Sequence, residues 1–275
     1  MSLNVQSLGS GSSGNALLLD DSDSSVLVDC GLGPRLLAKA LAAANRRIED
    51  IGIVLITHEH IDHVRGLKGL TRHGARFIAS AGTAFAAGLP PPSWEEIRMG
   101  ASIRAGGFTV TALAVSHDAE EPCGYHIAAA SGGKVVVLTD LGRRDDSLLD
   151  PLSEANLIIL EANHDIQMLR TGPYPQHLKR RVLSPTGHLS NADCGDLLAT
   201  SLCRVSNPGV VWLAHLSQTN NRPQLAVSTV RQSLAAAGVA TNVVALPRQA
   251  TGPTWSAHLP NPGQTASIQM QIPGF

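Results

Sequence analysis

Four potential metal donors within six residues, His58, His60, Asp62 and His63, follow an apolar run ending at Thr57, and no other feature restricts the fold of this chain as tightly. The run 51–57 has strand length. Side chains alternate only while a strand continues, so imidazoles two residues apart cannot bury against a single core face as an isolated histidine would. In a turning loop they converge. Three neutral imidazoles and a carboxylate form a donor set that zinc, manganese or iron accepts. Further ligands must come from elsewhere, and three more apolar runs end in one: TALAVSH in His117, VVVLTD in Asp140 and VVWLAH in His215. The fold must bring these strand ends to one rim, where rigid strands aim loop-held ligands at a site both fixed and open.

The rest of the sequence supplies a scaffold for that rim. Strands are expected at 17–20, 26–29, 76–79, 109–115, 124–129, 134–139, 157–161, 210–214 and 242–246. Helices are expected after Pro34, over 64–73 with Asp62 as N-cap, and over 80–87, 175–183, 191–202 and 223–237. This α/β order, strand-rich first and alternating later, fits two packed sheets with helices outside better than one doubly wound sheet. At 275 residues and 43% hydrophobic, the chain can bury a core without covalent staples. Cys30, Cys123, Cys194 and Cys203 form no C-x-x-C pair, which argues against a zinc ribbon or a secreted disulfide framework. The first residues resemble no signal peptide, and no stretch approaches the roughly 18 apolar residues of a membrane span, so a cytoplasmic protein is expected. One domain is expected over 1–247, with a Pro/Gly/Gln-rich C-terminal tail over 248–275.

The order T-H-E-H-I-D-H, His117, Asp140, His215 resembles the metallo-β-lactamase fold superfamily. That resemblance implies an αββα four-layer sandwich of two mixed sheets with helices outside, and two divalent metal ions, Zn²⁺ or Mn²⁺ with Fe²⁺ also accepted. It implies His58, His60 and His117 as ligands of one metal, His63 and His215 of the other, and Asp140 as the bridge. Asp62 matches an aspartate that is either a ligand or a partner of the attacking water. Two ions about 3.5–4 Å apart sharing a hydroxide suit a phosphodiester, and serve thioesters and lactams too. Seven further segments, SGSSGN, DCG, SHDAEEP, LEANHD, YPQHLKRRV, GHLSN and HLSQTNN, in this order resemble the bacterial WalJ (YycJ) family. The resemblance implies 5'-to-3' exonuclease activity on DNA and a link to cell-wall and division control.

A net charge of -1 gives no global field for a polyanion, so attraction to DNA must be local. Arg170, Lys179, Arg180 and Arg181 crowd the interval between LEANHD and GHLSN, and Arg143 and Arg144 follow Asp140, a patch suited to a phosphate backbone. Glu161 and His188 resemble a glutamate-histidine pair of ribonuclease Z, which makes His188 a general acid and Glu161 its orienter, beside Asp62. Ser13 and Asn15, through backbone N–H groups, and His164, Tyr174, Lys179 and Arg180 are the expected substrate contacts. Asp29 is expected to tie down the loop of His58 and His60. Two other readings use the same donors: a small-molecule ester, thioester or lactone hydrolase of the glyoxalase or lactonase type, and a regulatory or scaffold protein with a structural metal site. No protein partner is indicated.

Overall fold

Runs such as the valines at 135–137 carry no polar face because both faces of their sheets are covered. The computed structural model describes residues 2–21, 24–248, 251–258 and 270–271, in which the strands form two sheets. The first sheet contains β1 (Ser2–Gly9), β2 (Ala16–Asp20), β3 (Ser25–Val28), β4 (Ile53–Leu55), β5 (Arg76–Ala79) and β6 (Trp94–Glu96) in that order. The second contains β7 (Ser102–Ala105), β8 (Phe108–Ala114), β9 (Cys123–Ala129), β10 (Lys134–Leu138), β11 (Leu157–Glu161), β12 (Val210–Ala214) and β13 (Val243–Ala245). Both are mixed: β3 to β6 and β10 to β13 run parallel, and the remaining neighbours antiparallel.

The two-residue period of a strand sorts side chains between layers. Val135, Val137, Leu157, Ile159, Val210 and Trp212 join Leu17, Leu19, Val26 and Val28 in the core between the sheets. Their neighbours Val136, Leu138, Ile158, Leu160, Val211 and Leu213 face outward, onto α5 (Leu149–Glu154), α8 (Asn191–Leu202) and α9 (Pro223–Ala236). On the other side Leu18, Leu27 and Val54 meet α1 (Pro34–Ala43), α3 (Leu67–Arg72) and α4 (Ala81–Ala86). The result is the expected αββα sandwich.

Three local readings are corrected. The helix expected over 64–73 is broken into α2 (Ile61–Val64) and α3, because Gly66 is pressed against the Cys30 carbonyl oxygen, which accepts its N–H at 2.7 Å. Asp62 therefore lies in the first turn of α2, where His60 is the N-cap, and caps no helix. The third concerns strands and helices absent from the sequence reading: β1, β6, β7, α5 and α6 (Ile166–Thr171). Beyond Leu246, where the sequence reads as an irregular tail, Thr254–His258 forms β14 against the outer edge of β1, and Met270–Gln271 forms β15 beside it. Trp255 anchors β14 in the core between the sheets. Among the described residues no helix is long and apolar enough to cross a membrane. The last helix near the site, α7 (Gln176–Val182), buries no residue.

Candidate metal centre

Parallel strands of both sheets end at the same rim, and the donors follow those ends. Asp29, Asp140 and His215, each just past β3, β10 or β12, adopt left-handed backbone conformations with φ of 60°, 57° and 54°. Such angles are costly for a residue with a Cβ and cluster at functional sites. Here they turn each side chain inward as its strand stops. His117 arrives after β8, and Glu161 is the final residue of β11.

All seven residues expected as ligands lie in one cluster, in overlapping groups whose donor atoms come within 4.8 Å of one another: His58, His60 and His117; His58, His63 and Asp140; Asp62, His63 and His215. Glu161 and His188 join Asp140 and His215 in a fourth group. The protein also decides which ring nitrogen each histidine offers. A carboxylate or carbonyl oxygen can only accept, so the nitrogen facing it carries the proton. His63 Nδ1 donates to Asp29 Oδ2 at 2.7 Å, His117 Nδ1 to the Gly187 carbonyl at 3.0 Å, and His215 Nδ1 to Glu161 Oε1 at 2.9 Å. Each leaves Nε2 for a metal. Asp29 also accepts from the backbone N–H and the hydroxyl of Thr57, whose Oγ1 in turn meets His58 Nδ1 at 3.1 Å. Asp29 thus orients His63 directly and His58 through Thr57. Among the described residues it has no hydrogen bond to His60, whose Nδ1 faces His117 Nε2 at 3.3 Å.

Two buried atoms test whether a cation fits. His58 Nε2 has no hydrogen-bond partner, and Asp140 Oδ2, although 3.0 Å from His63 Nε2, is out of line for a hydrogen bond. An unsatisfied buried polar group costs about 1–3 kcal/mol, which a metal ligated by that atom removes. Histidine and carboxylate donors suit zinc, manganese or iron, so the residues fit the group. In the metal-free chain protons supply the missing positive charge. Burial alone would lower His63, but Asp29 and Asp140 outweigh it and raise its pKa to about 10. Burial likewise opposes charge on His215, and Asp140, Asp62 and Glu161 raise it well above the ordinary range. His58 and His117, where burial prevails, are lowered. Against burial, histidine neighbours hold Asp140 and Asp62 low, so both carboxylates stay ionised.

Glu161, fully buried, is the hub of the second side. Its Oε1 accepts from His188 Nδ1 at 2.8 Å and from His215, while Oε2 accepts the backbone N–H groups of Leu141 and Leu189. These contacts overcome burial and bring its pKa to about 2. His188, partly exposed, keeps Nε2 free, and Glu161 raises its pKa against burial.

The expected substrate contacts divide. Lys179 and Arg180 lie on α7, whose end abuts the site because the His188 N–H donates to the Val182 carbonyl at 3.0 Å. Tyr174 is half-buried just before that helix, near Arg248. Asn15 is instead a support for the centre: it donates to the Asp62 carbonyl and lies 3.0 Å from His63 Nε2. Ser13 lines a separate cavity of about 300 Å³ with Leu8, Leu32 and Lys39. His164 is 1% exposed with neither ring nitrogen partnered, which keeps it from a substrate in solution, and its carbonyl accepts from Asn191 at the start of α8. The basic patch is partly neutralised: Arg181 pairs with Asp118 at 2.6 Å, and Arg144 with Asp146. Sequence reasoning missed Asp118, Thr57, Asn163, which donates to the His215 carbonyl, and Arg248, which donates to the Leu216 carbonyl. Asp118 and Asn163 sit inside the segments SHDAEEP and LEANHD, the only signal available for them.

A family model described as Beta-lactamase superfamily domain matches residues 24–216. The Exodeoxyribonuclease WalJ of Streptococcus pneumoniae serotype 2 (strain D39 / NCTC 7466) is 36% identical over 244 residues, covering 86% of this chain and 90% of the relative. The Exodeoxyribonuclease YycJ of Bacillus anthracis is 33% identical over 240 residues, covering 85% and 90%. Among solved structures, the metallo-beta-lactamase fold protein YhfI from Bacillus subtilis superposes with a TM-score of 0.68 at 20% identity, over 93% of this chain and 99% of that one.

Proposed function

Since the chain belongs to the β-lactamase superfamily and, within it, to the WalJ/YycJ family, we propose that it is a metal-dependent deoxyribonuclease that removes nucleotides from the 5' end of DNA in the cytoplasm. The observation that carries this reading is the Glu161–His188 pair set against the ligand cluster, with α7 and its cations at the same edge. A phosphodiester needs a proton for its departing alkoxide, whereas a thioester, which expels a much less basic thiolate, makes less demand for one.

His58, His60 and His117 would hold one ion, and His63, His215 and Asp62 a second, with Asp140 between them. Zn²⁺ or Mn²⁺ bound there supplies Lewis acidity toward the phosphoryl oxygens and a water acidic enough to attack at neutral pH. The remaining work belongs to the chain. His188, protonated through its contact with Glu161, donates from Nε2 to the leaving oxygen. Glu161 fixes that ring and the His215 ring with one oxygen, so acid and ligand keep a constant separation. Lys179 and Arg180 position the backbone without reading its sequence.

Purified protein loaded with Mn²⁺ or Zn²⁺ should shorten end-labelled single- and double-stranded DNA from the 5' end, and His60→Ala or Asp62→Ala should abolish this. Wild-type protein that leaves both substrates intact with either metal refutes the reading.

A further inference from the structure

α2 turns Asp62 and His63 toward the metal cluster and leaves Ile61 and Arg65 outside, Ile61 being 63% exposed. On α3, Lys68 and Arg72 are exposed four residues apart, a spacing that puts them on one face of a helix, about 6 Å apart along its axis. These residues border a groove of about 660 Å³ that runs between α2, α3 and the end of α4, with Ile61, Val64 and Pro90 as its apolar surface. Its lining contains three cations, Arg65, Lys68 and Arg72, and no acid. Among the described residues neither Lys68 nor Arg72 has an ion-pair partner, unlike Arg181 and Arg144. Arg65 spends one guanidinium N–H on the Ser13 carbonyl, at 2.8 Å. A chain of net charge -1 therefore keeps an unneutralised positive strip that begins at Arg65, three residues after Asp62. No residue of α7 lines this groove; α7 reaches the cluster separately, through Arg181 on Asp118 beside His117.

We propose that this groove is a second DNA subsite, taking the phosphates of a single strand on Lys68 and Arg72 and its bases over Ile61. Charge complementarity selects a polyanion. The exposed apolar surface selects unpaired bases, since a duplex keeps its base faces stacked inside. A groove of this volume is within the roughly 300–1,000 Å³ of ligand sites. The proposal rests on the nuclease reading and deepens it: a strand bound at the metal cluster has two separate cationic surfaces to follow, α7 and this groove.

The test measures anisotropy of a fluorescent single-stranded oligonucleotide against salt, for wild type and Lys68→Gln/Arg72→Gln, with DNA digestion in parallel. Each phosphate contact on a single strand contributes about 0.7 to the slope of log K against log salt, so two contacts contribute about 1.4. At 0.1 M salt the double variant should bind roughly 25-fold more weakly, with a slope shallower by that amount. Metal content and melting temperature check that site and fold are intact, and Lys68→Gln alone serves if the double variant does not fold. Wild-type affinity and slope in the variant overturn the subsite while leaving the nuclease reading in place. Loss of binding in the variant, with wild type that binds but does not cut, overturns the nuclease reading and leaves the subsite. Groove-dependent binding that favours duplex overturns the single-strand occupant.

Discussion

Asp29 holds no place in the ligand set, yet its replacement should cripple the metal centre, and two substitutions separate the reasons. Its carboxylate is 2% exposed and accepts from the Thr57 N–H at 2.9 Å, the Thr57 hydroxyl and His63 Nδ1 at 2.7 Å, all from a backbone with φ of 60°. Asp29→Ala orphans a buried N–H, worth about 1–3 kcal/mol. It also puts alanine in the left-handed region at a further 1–2 kcal/mol or so. The sum, about 2–5 kcal/mol, is a large part of the roughly 5–15 kcal/mol that holds a domain together. Asp29→Asn tolerates the same backbone and keeps an oxygen for Thr57, so most of that stability should survive. What it loses is the negative charge on His63 Nδ1. Loss of such a partner costs about 10–100-fold in metal affinity. The assay pairs denaturant unfolding in chelator with metal titration against a chromophoric chelator. Asparagine should be nearly stable but weak in metal, alanine deficient in both. An Asp29→Asn protein that binds metal as tightly as wild type refutes the claim that this carboxylate orients the ligands.

The protons held by the metal-free protein predict a pH signature. His63, raised from 6.5 to about 10, stabilises the metal-free fold fully below pH 6.5 and loses that contribution as pH rises toward 10. Metal-free protein should therefore weaken over that window while metal binding tightens; calorimetry at pH 7 in buffers of different ionisation enthalpy should find about two protons released, from His63 and His215. No release would contradict the charge balance. His188→Ala should keep its metals and lower kcat by about 10²–10⁴, with the alkaline limb of the pH profile removed, whereas an equal loss of metal would make His188 a ligand instead. Gly31→Ala should lose metal affinity and stability together, because a Cβ there overlaps the Asp62 carbonyl oxygen that also accepts the Asn15 N–H; metal content by atomic absorption decides, and a normal value counts against the tight packing of that loop.

The ligands were legible in the sequence because each follows an apolar run that stops abruptly, a pattern that depends on neighbours along the chain alone. What could not be read depends on contacts across it. The residue that fixes the His63 tautomer is 34 positions away, and the carbonyl that fixes His117 is 70 away. No local spacing encodes either. β1 escaped for a related reason: Leu3, Val5 and Leu8 reach the cores, but Asn4, Gln6 and Ser7 interleave them in a segment that reads as loop. β14 is hidden further, since a strand whose anchor in the core is Trp255, with Thr254, Ser256 and Ala257 only partly buried, leaves almost no period to detect. The basic helix shows the opposite limit. Its cations are plain at 179–181, but only the fold reveals that Arg181 is spent on Asp118, 63 residues earlier, while the unneutralised pair Lys68 and Arg72 stands just after the histidine cluster with no local spacing that marks it. Counting charges locates candidates; subtracting those already paired identifies the surfaces on which a polyanion can still be held.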